Sequence, residues 1–145
     1  SFVHKAFQQI EDAGRVGLFK SYIDDYADGR QQRDFIYIKD AVNLTLFFYD
    51  RPDVSGLFNA GTGTARSWND LVTAVFRAMD RKPRIDYIDM PESIRGQYQY
   101  YTCADLSKLR SAGYEAEFTS LEDSVADYVR SFLLKGQARL CSENF

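Results

Sequence analysis

Segments with strand character alternate along this chain with helical segments, and this alternation limits the possible folds more than any other feature. Apolar residues at helical spacing predict helices over 1–12, 41–49 and 67–79, a short one ended by Gly113, and a last one from 119 to about 134. β-Branched and aromatic runs predict strands at 17–20, 34–38, 57–60 and 83–88. The alternation indicates an α/β architecture. Three or four short strands are too few for a complete doubly wound sheet, so we expect an incomplete Rossmann-type sheet, or one that extends another.

Polar residues that can cap helices precede several of the helical segments. Ser67 and Asp70 have the spacing of a capping box, in which the side chain of each residue accepts a hydrogen bond from the backbone amide of the other. The same spacing recurs in two further pairs, Thr102 with Asp105 and Thr119 with Glu122. Asp40 stands where an N-cap belongs, directly before the segment 41–49.

The segment 41–49 is apolar on nearly every side. Its apolar residues are Val42, Leu44, Leu46, Phe47 and Phe48. A helix of this kind has to be buried on more than one face. We therefore expect it to need a second partner surface, and an exposed face would favour association.

Composition places the chain among globular proteins of ordinary domain size. It has 145 residues, of which 45% are hydrophobic and 27% charged. The net charge of −3 disfavours a nucleic-acid partner, and no apolar run is long enough to span a membrane. Cys103 and Cys141 lack metal-binding spacing and there is a single His, which argues against a zinc site and for a reducing cytoplasm.

The start of the chain suggests a fragment. The segment 1–7 begins in helical sequence, without an initiating Met or a signal-peptide pattern. The segment 141–145 is predicted to be a loose tail. His4, beside Lys5, belongs to no ligand-like pattern and is expected on the surface.

Two motifs point to one family. Residues 33–40, Arg-Asp-Phe-Ile-Tyr-Ile-Lys-Asp, place an arginine at the mouth of a strand, where its guanidinium can fork onto a diphosphate; a surface arginine paired with Asp34 is the alternative. Residues 56–63, Gly-Leu-Phe-Asn-Ala-Gly-Thr-Gly, end in a tight turn. This turn lacks the third glycine of a dinucleotide fingerprint, so Gly61 and Gly63 are expected to be structural. Together, in this order, the motifs resemble the extended short-chain dehydrogenase/reductase family.

Three further segments narrow the resemblance to the ADP-heptose 6-epimerases within that family. They are Leu-Phe-Lys-Ser at 18–21, Arg-Gly-Gln-Tyr-Gln at 95–99 and Ala-Asp-Leu-Ser-Lys-Leu-Arg-Ser-Ala-Gly-Tyr at 104–114. The resemblance runs from Ser1 to about Leu134. It implies that residues 1–145 form the C-terminal substrate-binding part of such an enzyme. About 34–50 are then expected to pack on an N-terminal NADP-binding domain.

The resemblance also implies the substrate-binding residues. Carried over by motif, Phe19 would lie on the adenine, Arg33 would hold the diphosphate and Tyr98 would bond near it, with Lys20 and Ser21 as further contacts. Residues 19–22 read Phe-Lys-Ser-Tyr, whereas the commoner form in the family is Phe-Glu-Gly-Ser. The resemblance therefore supports substrate contacts at Lys20 and Ser21 less than at Phe19. A core strand residue at Phe19 and a buried ring at Tyr98 are the alternatives.

The family's catalytic and cofactor motifs are not found within these 145 residues. A Gly-rich cofactor turn after a first strand and a Tyr-x-x-x-Lys pair are both missing. The chain alone is therefore expected to be inactive. The resemblance implies that NADP is bound mainly by another domain, and that oxidation and reduction at C6 of the sugar occur only in the longer enzyme. That enzyme is expected to be a homo-oligomer. Alternatives are the same lobe of another nucleotide-sugar epimerase or dehydratase, and a non-catalytic α/β binding or assembly module.

Overall fold

A computed structural model describes residues 1–136. The elements, in chain order, are α1 Phe2–Ala13, β1 Val16–Phe19, β2 Gln32–Asp34, α2 Ile38–Tyr49, β3 Ala65–Ser67, α3 Trp68–Ala78, β4 Ile85–Ile88, α4 Glu92–Arg95, α5 Ser107–Ser111, α6 Leu121–Tyr128 and a π-helical segment Val129–Leu133. The predicted tail at 141–145 lies outside the described residues. Within the described part, no helix has the length and apolar character needed to cross a membrane.

The strands form two separate two-stranded sheets. β1 pairs in parallel with β4, with Val16 opposite Ile85 and Phe19 opposite Ile88. β2 pairs antiparallel with β3, with Arg33 opposite Arg66. This α/β arrangement of few short strands confirms the predicted incomplete sheet.

The main hydrophobic core lies between α1, β1, α3 and α6. Its fully buried residues include Ile10 from α1, Val16 from β1, Phe76 from α3 and Val129 just after α6. The helical periodicity of α1 and α3 predicted these inward faces. α1 ends at Gly14, whose φ of 67° is the left-handed conformation that glycine adopts without strain.

A smaller core lies against α2. Leu44 is buried with Leu109 and Tyr114, and aromatic rings of α2 itself and of the neighbouring loops pack around them. The opposite face of α2 is exposed. Its large apolar residues and their exposed fractions are Ile38 65%, Val42 49%, Leu46 51% and Tyr49 81%. Only one face of this helix is therefore covered by residues 1–136.

Two predicted strands differ from the structure. The strand predicted at 34–38 ends at Asp34, because the helix begins early, at Ile38. The strand predicted at 57–60 has no strand partner. It is held by side chains instead: Lys108 Nζ donates to the Leu57 carbonyl at 2.7 Å, and Asn59 Nδ2 donates to the Asp105 carbonyl at 3.1 Å.

The capping box at α3 is confirmed, because the Ser67 hydroxyl accepts from the Asp70 amide at 3.1 Å and the Asp70 carboxylate accepts from the Ser67 amide at 3.0 Å. The other two boxes are wrong. α6 is capped by Ser120, which accepts from the Asp123 amide at 3.1 Å. α5 begins only at Ser107, whose amide donates to Asp105 at 2.9 Å.

Asp40 does not cap α2. The N-cap is Tyr37, which makes no side-chain capping bond. The buried Asp40 carboxylate instead accepts from both the amide and the hydroxyl of Thr119, each at 2.9 Å. The two residues predicted to cap different helices therefore bind each other, and they join the start of α2 to the segment before α6.

Candidate functional site

Three of the five predicted substrate-binding residues come together. Phe19 ends β1, Arg33 lies in β2, and Tyr98 follows the short helix α4. The Phe19 and Tyr98 rings pack edge to face with centroids 6.4 Å apart, and the Arg33 guanidinium carbon lies 5.3 Å from the centre of the Tyr98 ring. All three side chains are half-buried. They form one surface with a cation beside aromatic rings.

Lys20 and Ser21 lie next to this surface, but their side chains bind elsewhere. Lys20 Nζ donates to the Asp89 carboxylate at 3.0 Å, and this contact raises the pKa of the Lys20 ammonium above its ordinary value. The Ser21 hydroxyl donates to the Ile23 carbonyl at 3.0 Å, within a local turn. The Ser21 amide donates to Asp28 at 2.7 Å. In this conformation both side chains are engaged in contacts within the protein.

Two tyrosines that the motifs did not single out extend the surface. Tyr100 packs edge to face on Tyr98 with centroids 5.4 Å apart, and Tyr26 packs on Tyr100 at 5.7 Å. Phe19, Tyr98, Tyr100 and Tyr26 are hereafter called the aromatic row. Tyr100 lies in a stretch rich in Tyr and Gln, residues 97–101, and this composition is the sequence signal that could have indicated it. Nothing in the sequence distinguished Tyr26 from the solvent-facing residues of its loop.

A buried glutamine fixes the strands that carry this surface. Gln31 is 1% exposed, and its Nε2 lies 3.3 Å from each of the Phe19 and Lys20 carbonyls. The next residue, Gln32, donates its amide to the Tyr100 carbonyl at 2.8 Å. The end of β1, the start of β2 and the chain after Tyr98 are therefore joined by hydrogen bonds.

Arg33 has no ion pair among residues 1–136. Its Nη1 donates to the Gln32 carbonyl at 2.7 Å, and the alternative pairing with Asp34 is not formed. A guanidinium without a carboxylate partner, held beside aromatic faces, can offer parallel donors to phosphate oxygens.

Asp34 instead holds the glycine turn. Its carboxylate accepts from the Thr62 amide at 2.8 Å, the Thr62 hydroxyl at 2.6 Å, the Gly63 amide at 2.9 Å and the Ala104 amide at 3.0 Å. Partial burial would by itself raise the pKa of Asp34, but these hydrogen bonds outweigh it and hold the pKa below its ordinary value. The Thr62 and Gly63 amides are thus bound within the protein, and the turn presents no free cradle for a dinucleotide phosphate.

Tyr37 and Lys39 form no acid/base pair. The Tyr37 hydroxyl and Lys39 Nζ both donate to one oxygen of Asp127, each at 2.5 Å. Burial, together with the Asp127 carboxylate, raises the pKa of Tyr37 above its ordinary value, so this phenol stays protonated near neutral pH. The cluster ties the start of α2 to α6.

A cavity of about 580 Å³ lies between α1, residues 34–38, α3 and α6. Its lining is mostly apolar and includes Phe2, Phe35, Leu71 and Val125, with Tyr37 among the polar contributors. None of the five predicted substrate-binding residues lines it. The cavity reaches α2 at Ile38, and no residue of the aromatic row lines it.

Comparisons with known proteins agree with the α/β fold described above. No family model matches the chain. It is 57% identical over 133 residues to an ADP-L-glycero-D-manno-heptose-6-epimerase of Nitratidesulfovibrio vulgaris strain DP4, which covers 92% of this chain and 41% of that protein. The chain therefore spans about two fifths of the length of this curated relative.

Solved structures show the same fold at low sequence identity. The ADP-L-glycero-D-manno-heptose-6-epimerase of Helicobacter pylori superposes with a TM-score of 0.72 at 24% identity, over 90% of this chain and 37% of that one. The Bordetella bronchiseptica enzyme WbmH, solved in complex with NAD+, gives a TM-score of 0.63 at 24% identity, over 91% and 40%. At this identity the two likenesses establish the fold alone.

Proposed function

We propose that this chain forms the part of an ADP-L-glycero-D-manno-heptose-6-epimerase that binds the ADP-sugar. The proposal is supported by its 57% identity, over 92% of its length, to a protein of that name, of which it covers 41%. The whole enzyme would interconvert the D-glycero and L-glycero epimers of ADP-manno-heptose by oxidation and reduction at C6. The observation that carries the proposal is the Arg33 guanidinium, which lies beside the Tyr98 ring of the aromatic row and has no ion pair within residues 1–136.

Each half of ADP has a matching chemical surface at this site. Two parallel donors of Arg33 suit the diphosphate, and the faces and edges of Phe19 and Tyr98 suit the adenine. Lys20 is neutralised by Asp89, and its side chain would have to leave that carboxylate to reach a phosphate. Ser21 would have to leave the Ile23 carbonyl. We therefore assign the main diphosphate contact to Arg33, with Lys20 and Ser21 as secondary contacts.

The cofactor of the whole enzyme, which we propose to be NADP, would be bound mainly outside these residues. The Gly61–Gly63 turn does not suit it, because the Asp34 carboxylate occupies the turn's amides. The nicotinamide would supply the hydride chemistry of the C6 epimerisation, and nothing in this chain is assigned a step in it. Purified alone, the 145-residue chain is expected to show no epimerase activity, and turnover by a preparation free of longer enzyme would contradict this.

We further propose that residues 34–50 pack on the domain that binds the cofactor. The exposed apolar face of α2, with Ile38, Val42, Leu46 and Tyr49, supports this, as does the apolar cavity beside residues 34–38. The longer protein would be a cytoplasmic homo-oligomer that supplies heptose for lipopolysaccharide, with no nucleic-acid or membrane partner.

The proposal is tested by thermal unfolding of the chain with and without ADP, followed by fluorescence of Trp68. A ligand that binds only the folded state raises the midpoint. We expect ADP to raise it in the wild type and not in Arg33→Ala. Arg15→Ala is the matched control, because Arg15 is an exposed arginine paired with Asp86 at a distance of 3.4 Å.

The outcomes separate the candidate functions. No shift with ADP in the wild type, or an equal shift in Arg33→Ala, would contradict the proposed site. A larger shift with UDP than with ADP would favour another nucleotide-sugar enzyme of the same superfamily. No shift with either nucleotide would favour a non-catalytic binding or assembly module.

A further inference from the structure

Residues 91–99, hereafter the strap, carry Tyr98 into the candidate site. The strap is mostly exposed, and its one helical turn, α4, buries none of its residues. It is fixed at both ends: Met90 is fully buried, and the Tyr100 carbonyl accepts the Gln32 amide at 2.8 Å. The position of Tyr98 between these two anchors therefore depends on contacts made by the strap itself.

Tyr22 makes three contacts with the strap and its two ends. Its amide donates to the Tyr100 hydroxyl at 3.1 Å, and its own hydroxyl donates to the Asp89 carboxylate at 3.1 Å. Its ring lies 4.1 Å from the guanidinium carbon of Arg95, in the middle of the strap. Arg95 is itself oriented by its Nε, which donates to the Met90 carbonyl at 2.7 Å. The Tyr22 side chain thus contacts Asp89, just before the strap, and Arg95 at its centre. The Tyr22 amide binds the Tyr100 side chain, just after the strap.

These contacts connect the two segments that form the aromatic row. Tyr22 follows Phe19 closely in the chain, whereas Arg95 precedes Tyr98 within the strap. Holding Arg95 on Tyr22 therefore sets the distance between Phe19 and Tyr98, and with it the position of the Tyr98 ring beside Arg33. Exposed cation–π contacts and exposed hydrogen bonds are individually weak, so the strap is held without being locked.

We infer that Tyr22 is a positioning residue for the nucleoside diphosphate, which it serves by holding the strap so that Tyr98 faces Arg33 and Phe19. This inference rests on the proposed function. Tyr22 itself needs no contact with the ligand. Its ring supports Arg95, its hydroxyl supports Asp89, and the site loses its shape when the strap moves away.

The test compares Tyr22→Leu, which removes both the ring and the hydroxyl, with Tyr22→Phe, which keeps the ring under Arg95. Tyr49→Leu is the matched control, because Tyr49 is 81% exposed on α2. ADP affinity is measured by calorimetry on the 145-residue chain. Amide hydrogen exchange of residues 91–99 is measured without ligand.

We expect Tyr22→Leu to weaken ADP binding by about fivefold to tenfold and to speed exchange in the strap while leaving exchange in α3 unchanged. Tyr22→Phe should recover most of the affinity, and Tyr49→Leu should match the wild type. A purely structural role would speed exchange throughout the chain.

The inference and the proposed function can fail separately. If ADP binds the wild type but not Arg33→Ala, and Tyr22→Leu binds ADP as tightly as the wild type, the positioning role is wrong and the site stands. Faster exchange across α3 as well as the strap would also overturn the positioning role. If the wild type does not bind ADP, both are overturned.

Discussion

Replacing Gly61 by alanine should destabilise the chain for a reason that can be worked out from distances. A Cβ at this position would lie 2.5 Å from the Ala104 Cβ and 2.5 Å from Asp34 Oδ2. Carbon atoms in contact normally lie about 3.5–4.0 Å apart, so something must move by about 1 Å. The flanking groups are short side chains with no flexible end to swing away, and Asp34 is held by four hydrogen bonds.

The cost follows from what has to move. Overpacking of a tight site costs about 1–3 kcal/mol. Displacing Asp34 Oδ2 also weakens its bonds from the Gly63 and Ala104 amides, each worth about 1 kcal/mol or more because the acceptor is charged. Loss of glycine's freedom in the unfolded chain offsets about 0.5 kcal/mol. We expect the free energy of unfolding to fall by about 3 kcal/mol, a large share of the stability of an ordinary domain.

Urea unfolding followed by Trp68 fluorescence measures this change, because Trp68 packs on Phe2 and Phe35 near the affected turn. Gly96→Ala is the matched control. The Gly96 φ of −70° suits alanine, and no atom lies within 4 Å of its Cβ position. It should leave the midpoint unchanged or slightly raised.

A loss of less than about 0.5 kcal/mol in Gly61→Ala would refute the steric reasoning, since surface substitutions commonly fall within that range. The double variant Gly61→Ala with Ala104→Gly removes one of the two close contacts and should recover part of the loss. If it recovers nothing, the displaced Asp34 carboxylate alone accounts for the effect.

Three further predictions concern other parts of the structure. The folded-state pKa of Asp34 lies below its ordinary value of 3.8. The carboxylate's contribution to the free energy of unfolding is therefore present above that pH and is lost as the pH falls below it. Urea titrations at stepped pH should show a smaller loss of stability at low pH in Asp34→Asn than in the wild type. Thr119→Val removes the hydroxyl bonded to the buried Asp40 and should cost about 1–2 kcal/mol, and an unchanged urea midpoint would contradict this. The double variant Val42→Lys with Leu46→Lys should reduce self-association of the chain, as measured by sedimentation velocity. If the variant associates as strongly as the wild type, the α2 face is not the cause of the association.

The local patterns of the sequence predicted those elements whose structure is decided locally. The apolar periodicity of α1 and α3 and the β-branched run at β4 needed only near neighbours, as did the capping box of Ser67 and Asp70. The turn glycines Gly61 and Gly63 were also expected to be structural. What the pattern lacked was the reason, since the Asp34 carboxylate that they surround comes from a distant strand.

Predictions failed where a polar side chain had a choice of partner. Asp40 and Thr119 each stand in a good capping position, yet they bind each other across the fold. Such a pairing gives the buried Asp40 carboxylate two donors. Sequence spacing cannot distinguish these outcomes, because the competing partner becomes near only after folding.

The candidate site divides in the same way. Phe19, Arg33 and Tyr98 could be named from motifs, and the structure brings them together. Tyr100 and Tyr22 could not be named from motifs, because they come into contact only when the chain after the strap folds next to β1. Whether any of these residues binds a nucleotide stays a prediction until the ADP experiments are done.

α2 is attached to the rest of the chain by a small apolar cluster and a few polar contacts. The inner face of α2 packs on a small cluster around Leu109 and Tyr114, separate from the main core. Its link to the main body runs through the polar contacts of Asp40 with Thr119 and of Asp127 with Lys39. These polar contacts orient α2 but bury little apolar area, so they stabilise the helix less than a second packed face would. In a longer protein that covers this face, α2 should become one of the slowly exchanging helices, whereas in the isolated chain it should exchange faster than α3.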